Sequence, residues 1–138
     1  LNALHYAATR AAKTGGGVEV LAIITPQDQT HWLGVAEKMR EEARETIEES
    51  FQIYSNWMKD ELKLEAELVI REGEKATEVL NQISEDKEVG VLVLGANNSS
   101  EGPGPLISQL VSRDGGNLPI PVTIVPGSMT KERIEAVS

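Results

Sequence analysis

The stretch richest in chemical possibility is Gly95-Ala96-Asn97-Asn98-Ser99-Ser100, which follows a short apolar run and continues to Gly102 and Gly104. Glycine lets a backbone approach a ligand closely, and asparagine offers both donors and acceptors. Gly104-Pro105-Leu106 then opens a helical pattern, and the first amides of a helix have no partner within it. Such a loop suits a small anion or a nucleotide phosphate. Gly95, Ala96, Asn97, Asn98, Gly104, Pro105 and Leu106 are therefore candidate ligand contacts. Thr25 joins them, because it ends another apolar run, Val18 to Ile24, at the same end of the expected sheet. The plainer alternative for the whole stretch is an ordinary solvated loop.

Other constellations are weaker. Asp28 and His31 share a loop with Trp32, and a His beside an Asp can act as base or ligand. One such pair without a third partner makes neither a metal site nor a catalytic site, and a loop with Trp32 packed as a lid is the simpler reading. Glu37, Glu41, Glu45, Glu48 and Glu49 line one helix face, but Lys38, Arg40 and Arg44 are interleaved. Pairs such as Glu37 with Arg40 and Glu41 with Arg44 make this a solvated, partly paired surface rather than a cation site. His5 falls close to the apolar face of the first helix and reads as a half-buried helix histidine. The chain has no cysteine, which removes disulfides, thiolate metal sites and thiol catalysis. It has no Gly-x-Ser-x-Gly elbow and no Gly-x4-Gly-Lys-Ser/Thr loop, so serine hydrolysis and P-loop phosphoryl transfer have no support.

The elements that must position these residues alternate. Leu4, Ala7, Ala8 and Ala11 share a face of a first helix, which Gly15-Gly16-Gly17 stops. Val18 to Ile24 is a buried strand. A long helix runs from about Val35 to Leu62, with Ala36, Met39, Ala43, Ile47, Tyr54 and Met58 in one stripe. Leu64 to Ile70 is the next strand, and Arg71-Glu72-Gly73-Glu74 turns into a helix with Ala76, Val79, Leu80 and Ile83 inward. Val89 to Leu94 is a third strand, Pro105 to about Arg113 a helix, and Pro121 to Val125 a fourth strand. Thr130 to Ser138 is a short helix or a frayed tail. Apolar strands alternating with amphipathic helices imply one α/β domain over residues 1–138, a parallel sheet covered on both faces.

Taken together, the opening ALHYAATRAAKTGGGVEVLAII, the turn and helix REGEKATEVLNQI, the strand VLVLG and the ending PVTIVPG resemble the universal stress protein family from Leu1 to Gly127. The resemblance implies a doubly wound parallel sheet of order 3-2-1-4-5 with helices on both faces. It also implies that the family's central first strand, with its terminal aspartate, is not in this sequence, which begins without Met inside a helix. Strands Val18–Ile24 and Val91–Leu94 would then flank an empty slot, about 9–10 Å apart rather than the usual 4.8 Å or so. Direct pairing of those two strands would refute this. Members that bind ATP carry Gly-x2-Gly-x9-Gly-Ser/Thr after the fourth strand. Here Gly95 matches, but Asn98 and Ser108 stand at the other glycine positions and Gln109 follows. Gly102 and Gly104 leave room for a shifted glycine turn. ATP or AMP is the cofactor this resemblance would imply.

With 13 Lys and Arg against 22 Asp and Glu, the formal charge is −9. That balance repels nucleic acid and anionic lipid, and no basic patch offsets it, so neither is an expected partner. No apolar run approaches the roughly 18 residues of a membrane span. A soluble, cytoplasmic protein is expected. The last strand is flanked by Pro121 and Pro126, which fits an edge, and its Val122-Thr123-Ile124-Val125 edge invites pairing with a second copy. The alternative is a monomer whose tail covers that edge. Three readings of function follow. The first is a non-enzymatic, dimeric stress-response protein that binds a ligand or an unidentified protein partner. The second is an ATP- or AMP-binding member with slow hydrolysis. The third is an interaction module using the acidic long helix.

Overall fold

The run of three glycines ends the first helix by a specific backbone geometry. In the computed structural model, which describes residues 1–26, 33–96, 104–114 and 118–138, helix α1 (Asn2–Thr14) closes on Gly15 at φ 77°. This left-handed conformation costs a side-chain-bearing residue about 1–2 kcal/mol. The Gly16 amide then bonds the Ala11 carbonyl at 3.0 Å, which satisfies an otherwise orphaned helix-end acceptor. The chain continues as β1 (Val18–Ile24), α2 (Leu33–Leu62), β2 (Ala66–Glu72), α3 (Lys75–Glu85), β3 (Leu92–Ala96), α4 (Pro105–Asp114), β4 (Val122–Pro126) and α5 (Lys131–Val137).

Element types and order follow the sequence pattern, while several boundaries move. β2 starts two residues later than its apolar run, at Ala66. Lys63 takes φ 58° and the Leu64 amide bonds back to Met58 at 3.1 Å, so these residues close α2 instead of extending the strand. β3 also starts late, because the Val89 amide bonds Asp86 at 3.3 Å in a turn after α3. Gly95 and Ala96 therefore belong to β3 rather than to the loop after it. The C-terminal segment is a helix, with the Arg133 amide donating to the Thr130 hydroxyl at 3.2 Å. An N-cap of this kind stabilises a helix by about 1 kcal/mol.

All strand pairing is parallel. β1 pairs with β2, from Val18 opposite Ala66 to Ile24 opposite Glu72. β3 pairs with β4, from Leu92 opposite Val122 to Ala96 opposite Pro126. These are two separate two-stranded sheets, and among the described residues β1 and β3 share no ladder. They nevertheless share a core. Leu21 and Ile23 of β1 and Leu92 and Leu94 of β3 all pack on Ala76, Val79 and Ile83 of α3 and Leu110 of α4. The opposite face carries α1, which packs on β1, β3 and β4, and α2, which packs on β1 and β2. The result is helix–sheet–helix layering with the sheet divided between β1 and β3. Every residue of β1 is only half-buried, in keeping with an inner edge that no neighbouring strand covers.

The long helix presents its expected stripe unevenly. Met58 is fully buried, Ala36, Ala43, Ile47, Phe51 and Tyr54 are half-buried, and Met39 is 39% exposed. α5 folds back onto α1. Asn2 Nδ2 donates to the carbonyls of Pro126, Gly127 and Met129 at 3.0–3.3 Å, and Lys13 Nζ donates to those of Glu135 and Ser138 at 2.9 and 3.2 Å. His5, half-buried, stands edge-on to Trp57 with ring centres 5.3 Å apart and approaches Glu135 at 3.5 Å. The tail is thus anchored to α1, and the outer edge of β4 has no strand partner among the described residues.

Candidate functional site

Three chain segments converge at the carboxyl end of the sheet. The first is the turn from β2 into α3. The Gly73 amide donates to the Ile24 carbonyl at 3.0 Å and carries the β1–β2 pairing past the strand end. Gly73 has φ 145°, and a Cβ there would lie 2.8 Å from Glu78 Cγ. Both its conformation and its space therefore demand glycine. Glu78 is held in that place by Arg71, whose Nε donates to Glu78 Oε1 at 2.8 Å. The same guanidinium donates from Nη1 to Gln82 Oε1 at 3.0 Å and to Glu85 Oε2 at 2.5 Å. Residues 78, 82 and 85 follow the i, i+4, i+7 spacing of one helix face, so one arginine at the end of β2 grips two turns of α3. Glu85 first and then Glu78, by accepting these bonds, hold the Arg71 proton more firmly than usual.

This clamp sets the start of α3, and with it Lys75. The second segment is the end of β3, Leu94 and Gly95. The third is Gly104, at φ 114°, followed by the first turn of α4. Together Lys75, Leu94, Gly95, Gly104, Pro105, Leu106 and Ile107 line a pocket of about 180 Å³. Pro105 has no amide hydrogen, and the first intrahelical bond of α4 runs from the Ser108 amide to the Gly104 carbonyl at 3.1 Å. The amides of Leu106 and Ile107 therefore have no acceptor within the helix. They supply the positive end of the helix dipole, Lys75 supplies a cation, and the rest of the lining among the described residues is apolar. Electrostatically this is a seat for a small anion, within a chain of net charge −9.

Of the candidate ligand contacts, Gly95, Gly104, Pro105 and Leu106 meet at this pocket. Ala96 and Thr25 do not line it, and Thr25 is exposed beyond the end of β1. Asn97, Asn98 and Gly102 lie outside the described residues, as do Asp28, His31 and Trp32. Sequence reasoning did not single out Lys75, Leu94 or Ile107. A signal for Lys75 was present: it opens the helix that follows a strand, at the end of the sheet where open α/β folds bind ligands. A Cβ at Gly95 would point to α1, on the face opposite α3 and α4, and meet the Ala3 Cβ in an ordinary contact at 3.4 Å.

A second cleft, of about 200 Å³, is lined by Glu37, Arg40, Glu41, Arg44 and Glu72. Arg40 turns to Glu72 on β2, at 3.5 Å, rather than to Glu37. Opposite charges alternate around this cleft, and among the described residues no three acidic or histidine side chains are grouped to hold a metal. No helix among the described residues is long and apolar enough to cross a membrane.

The comparisons with known proteins agree with this layout. The chain's fold is similar to that of the universal stress protein UspA from Lactobacillus plantarum, with a TM-score of 0.74 over 89% of this chain and 86% of that one, at 14% identity. No curated protein sequence matches it. The model of the universal stress protein family matches residues 1–126, and the chain belongs to that family.

Proposed function

We propose that this chain is a non-enzymatic stress-response protein, dimeric through β4, that binds a small anionic ligand in the pocket between α3, β3 and α4. The stress-response role comes with the family. The observation that carries the ligand class is the placement of Lys75 around the same pocket as the amides of Leu106 and Ile107, which have no acceptor within α4. Size narrows the reading. At about 180 Å³ the pocket falls below the roughly 300–1,000 Å³ typical of sites that engulf a drug-sized ligand, so it suits a phosphate group rather than a whole nucleotide. Among the described residues Lys75 is the one titratable side chain in the lining.

A second reading, an ATP- or AMP-binding member with slow hydrolysis, shares the seat and places a nucleotide phosphate there. The glycines missing at Asn98 and Ser108 weigh against it. Calorimetry with inorganic phosphate, AMP, ADP and ATP separates the two. The first reading expects weak phosphate binding, little gain from the nucleoside, and a loss of about tenfold in Lys75→Ala, as for one charge-assisted bond of about 1.4 kcal/mol. Sub-millimolar ATP binding that far exceeds phosphate binding would establish the second reading. Absence of binding by all four would remove the pocket from both.

A further inference from the structure

Lys75 is the only cation of α3, and a carboxylate of the same helix lies within its reach. Glu78 stands three residues further on, about 4.5 Å along the axis, where side chains of one helix are neighbours. Helical side chains lean toward the N-terminus, so Glu78 covers the turn that carries Lys75. The contact at Gly73 fixes that direction, because a Cβ there would lie 2.8 Å from Glu78 Cγ and 2.9 Å from Oε2. Yet among the described residues Glu78 and Lys75 form no ion pair. Arg71 Nε donates to Glu78 Oε1 at 2.8 Å, and Asn81 Nδ2 donates to Oε2 at 3.2 Å. The side chains of Arg71 and Glu78 are only 20% and 16% exposed, so the pair is shielded from solvent, whereas Lys75 is exposed. Glu74, next to Lys75 in sequence, accepts from the Thr77 hydroxyl.

We propose that Arg71 guards the anion seat: by occupying Glu78 it keeps that carboxylate from pairing with Lys75, so the ammonium stays available to a phosphate group. The inference rests on the seat proposed above and adds what sets its strength. A carboxylate on the same helix is an intramolecular competitor, present whatever the concentration of dissolved anion. Anion binding at Lys75 therefore needs a stronger partner to hold that competitor. Arg71 is such a partner, because its guanidinium is planar, keeps its charge and is fixed from the other side by Gln82 and Glu85, at 3.0 and 2.5 Å. Without Arg71, a Glu78 carboxylate largely shielded from water would need another cation, and Lys75 is the one on the adjoining turn. Glu85 makes no such competitor. It lies ten residues from Lys75, about 15 Å along the axis, beyond the roughly 8 Å over which charges act at physiological salt. The guard acts through charge, and this separates it from the mechanical grip that Arg71 exerts on α3.

Calorimetry with inorganic phosphate on the whole chain tests it. Arg71→Gln should weaken phosphate binding about two- to fivefold, the competition expected of one ion pair, and Arg71→Lys, which keeps the charge, should bind like the parent. Adding Glu78→Gln to Arg71→Gln should restore the parent affinity, and adding Glu85→Gln should not. Glu78→Gln alone should change affinity less than about twofold, because its carboxylate is already withdrawn. Unchanged binding in Arg71→Gln would overturn the proposal. So would a loss that persists in the Arg71→Gln, Glu78→Gln pair, which is the mark of a purely mechanical clamp, or an equal rescue by Glu85→Gln, the mark of net charge alone. A parent that binds no phosphate would remove the seat, and NMR then decides the guard by itself. Glu78→Gln should move the Lys75 side-chain resonances more in the Arg71→Gln background than in the parent, and equal shifts in both would sink it.

Discussion

Gly73→Ala perturbs the candidate site at its most constrained point, and its cost can be worked from two separate terms. An alanine held at φ 145° is in a sparsely populated region, worth about 1–3 kcal/mol of strain. Its Cβ would also stand 2.8 Å from Glu78 Cγ and 2.9 Å from Glu78 Oε2. Real Cβ atoms do not approach so closely, so Glu78 must leave its rotamer, at about 0.5–1.5 kcal/mol. The sum is about 1.5–4.5 kcal/mol, measurable as a lowered midpoint in urea at unchanged slope. A double-mutant cycle separates the terms. In a Glu78→Ala background the clash disappears and only the backbone strain persists, so the same glycine substitution should cost about 1 kcal/mol less. A cost below about 0.5 kcal/mol in the parent would refute the strained turn. Equal costs in the two backgrounds would refute the packing of Glu78 beneath Gly73.

Other outcomes follow from the same geometry. Leu110 is 1% exposed in the cluster shared by α3, β1 and β3, so Leu110→Ala should destabilise by about 2–5 kcal/mol in urea unfolding, whereas the 57% exposed Val111→Ala should change stability by less than about 0.5 kcal/mol. Gly95→Ala adds a methyl in ordinary contact with Ala3 on the α1 side, so it should leave phosphate affinity by calorimetry unchanged; a large loss would return Gly95 to the ligand-contact role. If β4 pairs with a second copy, Ile124→Lys places a charge at a side chain now 43% exposed. It should convert a dimer into a monomer in sedimentation, and a parent that sediments as a monomer would end the dimer reading.

Periodicity carried most of the fold. Helix stripes such as Ala76-Val79-Leu80-Ile83 and the β-branched run Val18–Ile24 are local patterns, set by 3.6- and 2-residue repeats that any reader of the chain can count. Boundaries were less legible because closing a helix consumes residues that look like strand. Leu64 satisfies Met58, and Val89 satisfies Asp86. Half of the candidate site was legible for the same local reason: Gly104-Pro105-Leu106 announces a helix start. Lys75 was legible only through its position, as the first residue of a helix that follows a strand; its immediate neighbours do not otherwise set it apart from other surface lysines. Its place at the pocket depends on Arg71 gripping α3 and on parallel crossovers that bring residues 75, 95 and 105 to one end of the sheet.

By itself the sequence determined the class of the chain: alternating elements, an acidic surface without cysteine, and a family pattern whose ATP motif is altered at Asn98 and Ser108. Tertiary structure decided which edges pair, leaving β1 and β3 without a common ladder, and which way each side chain looks. It turned Gly95 toward α1 and Glu19 toward Gln82 of α3. The division has a physical cause. Propensity and patterning act over a few residues, whereas pocket lining and strand order depend on distances between segments far apart in the chain, and only packing sets those.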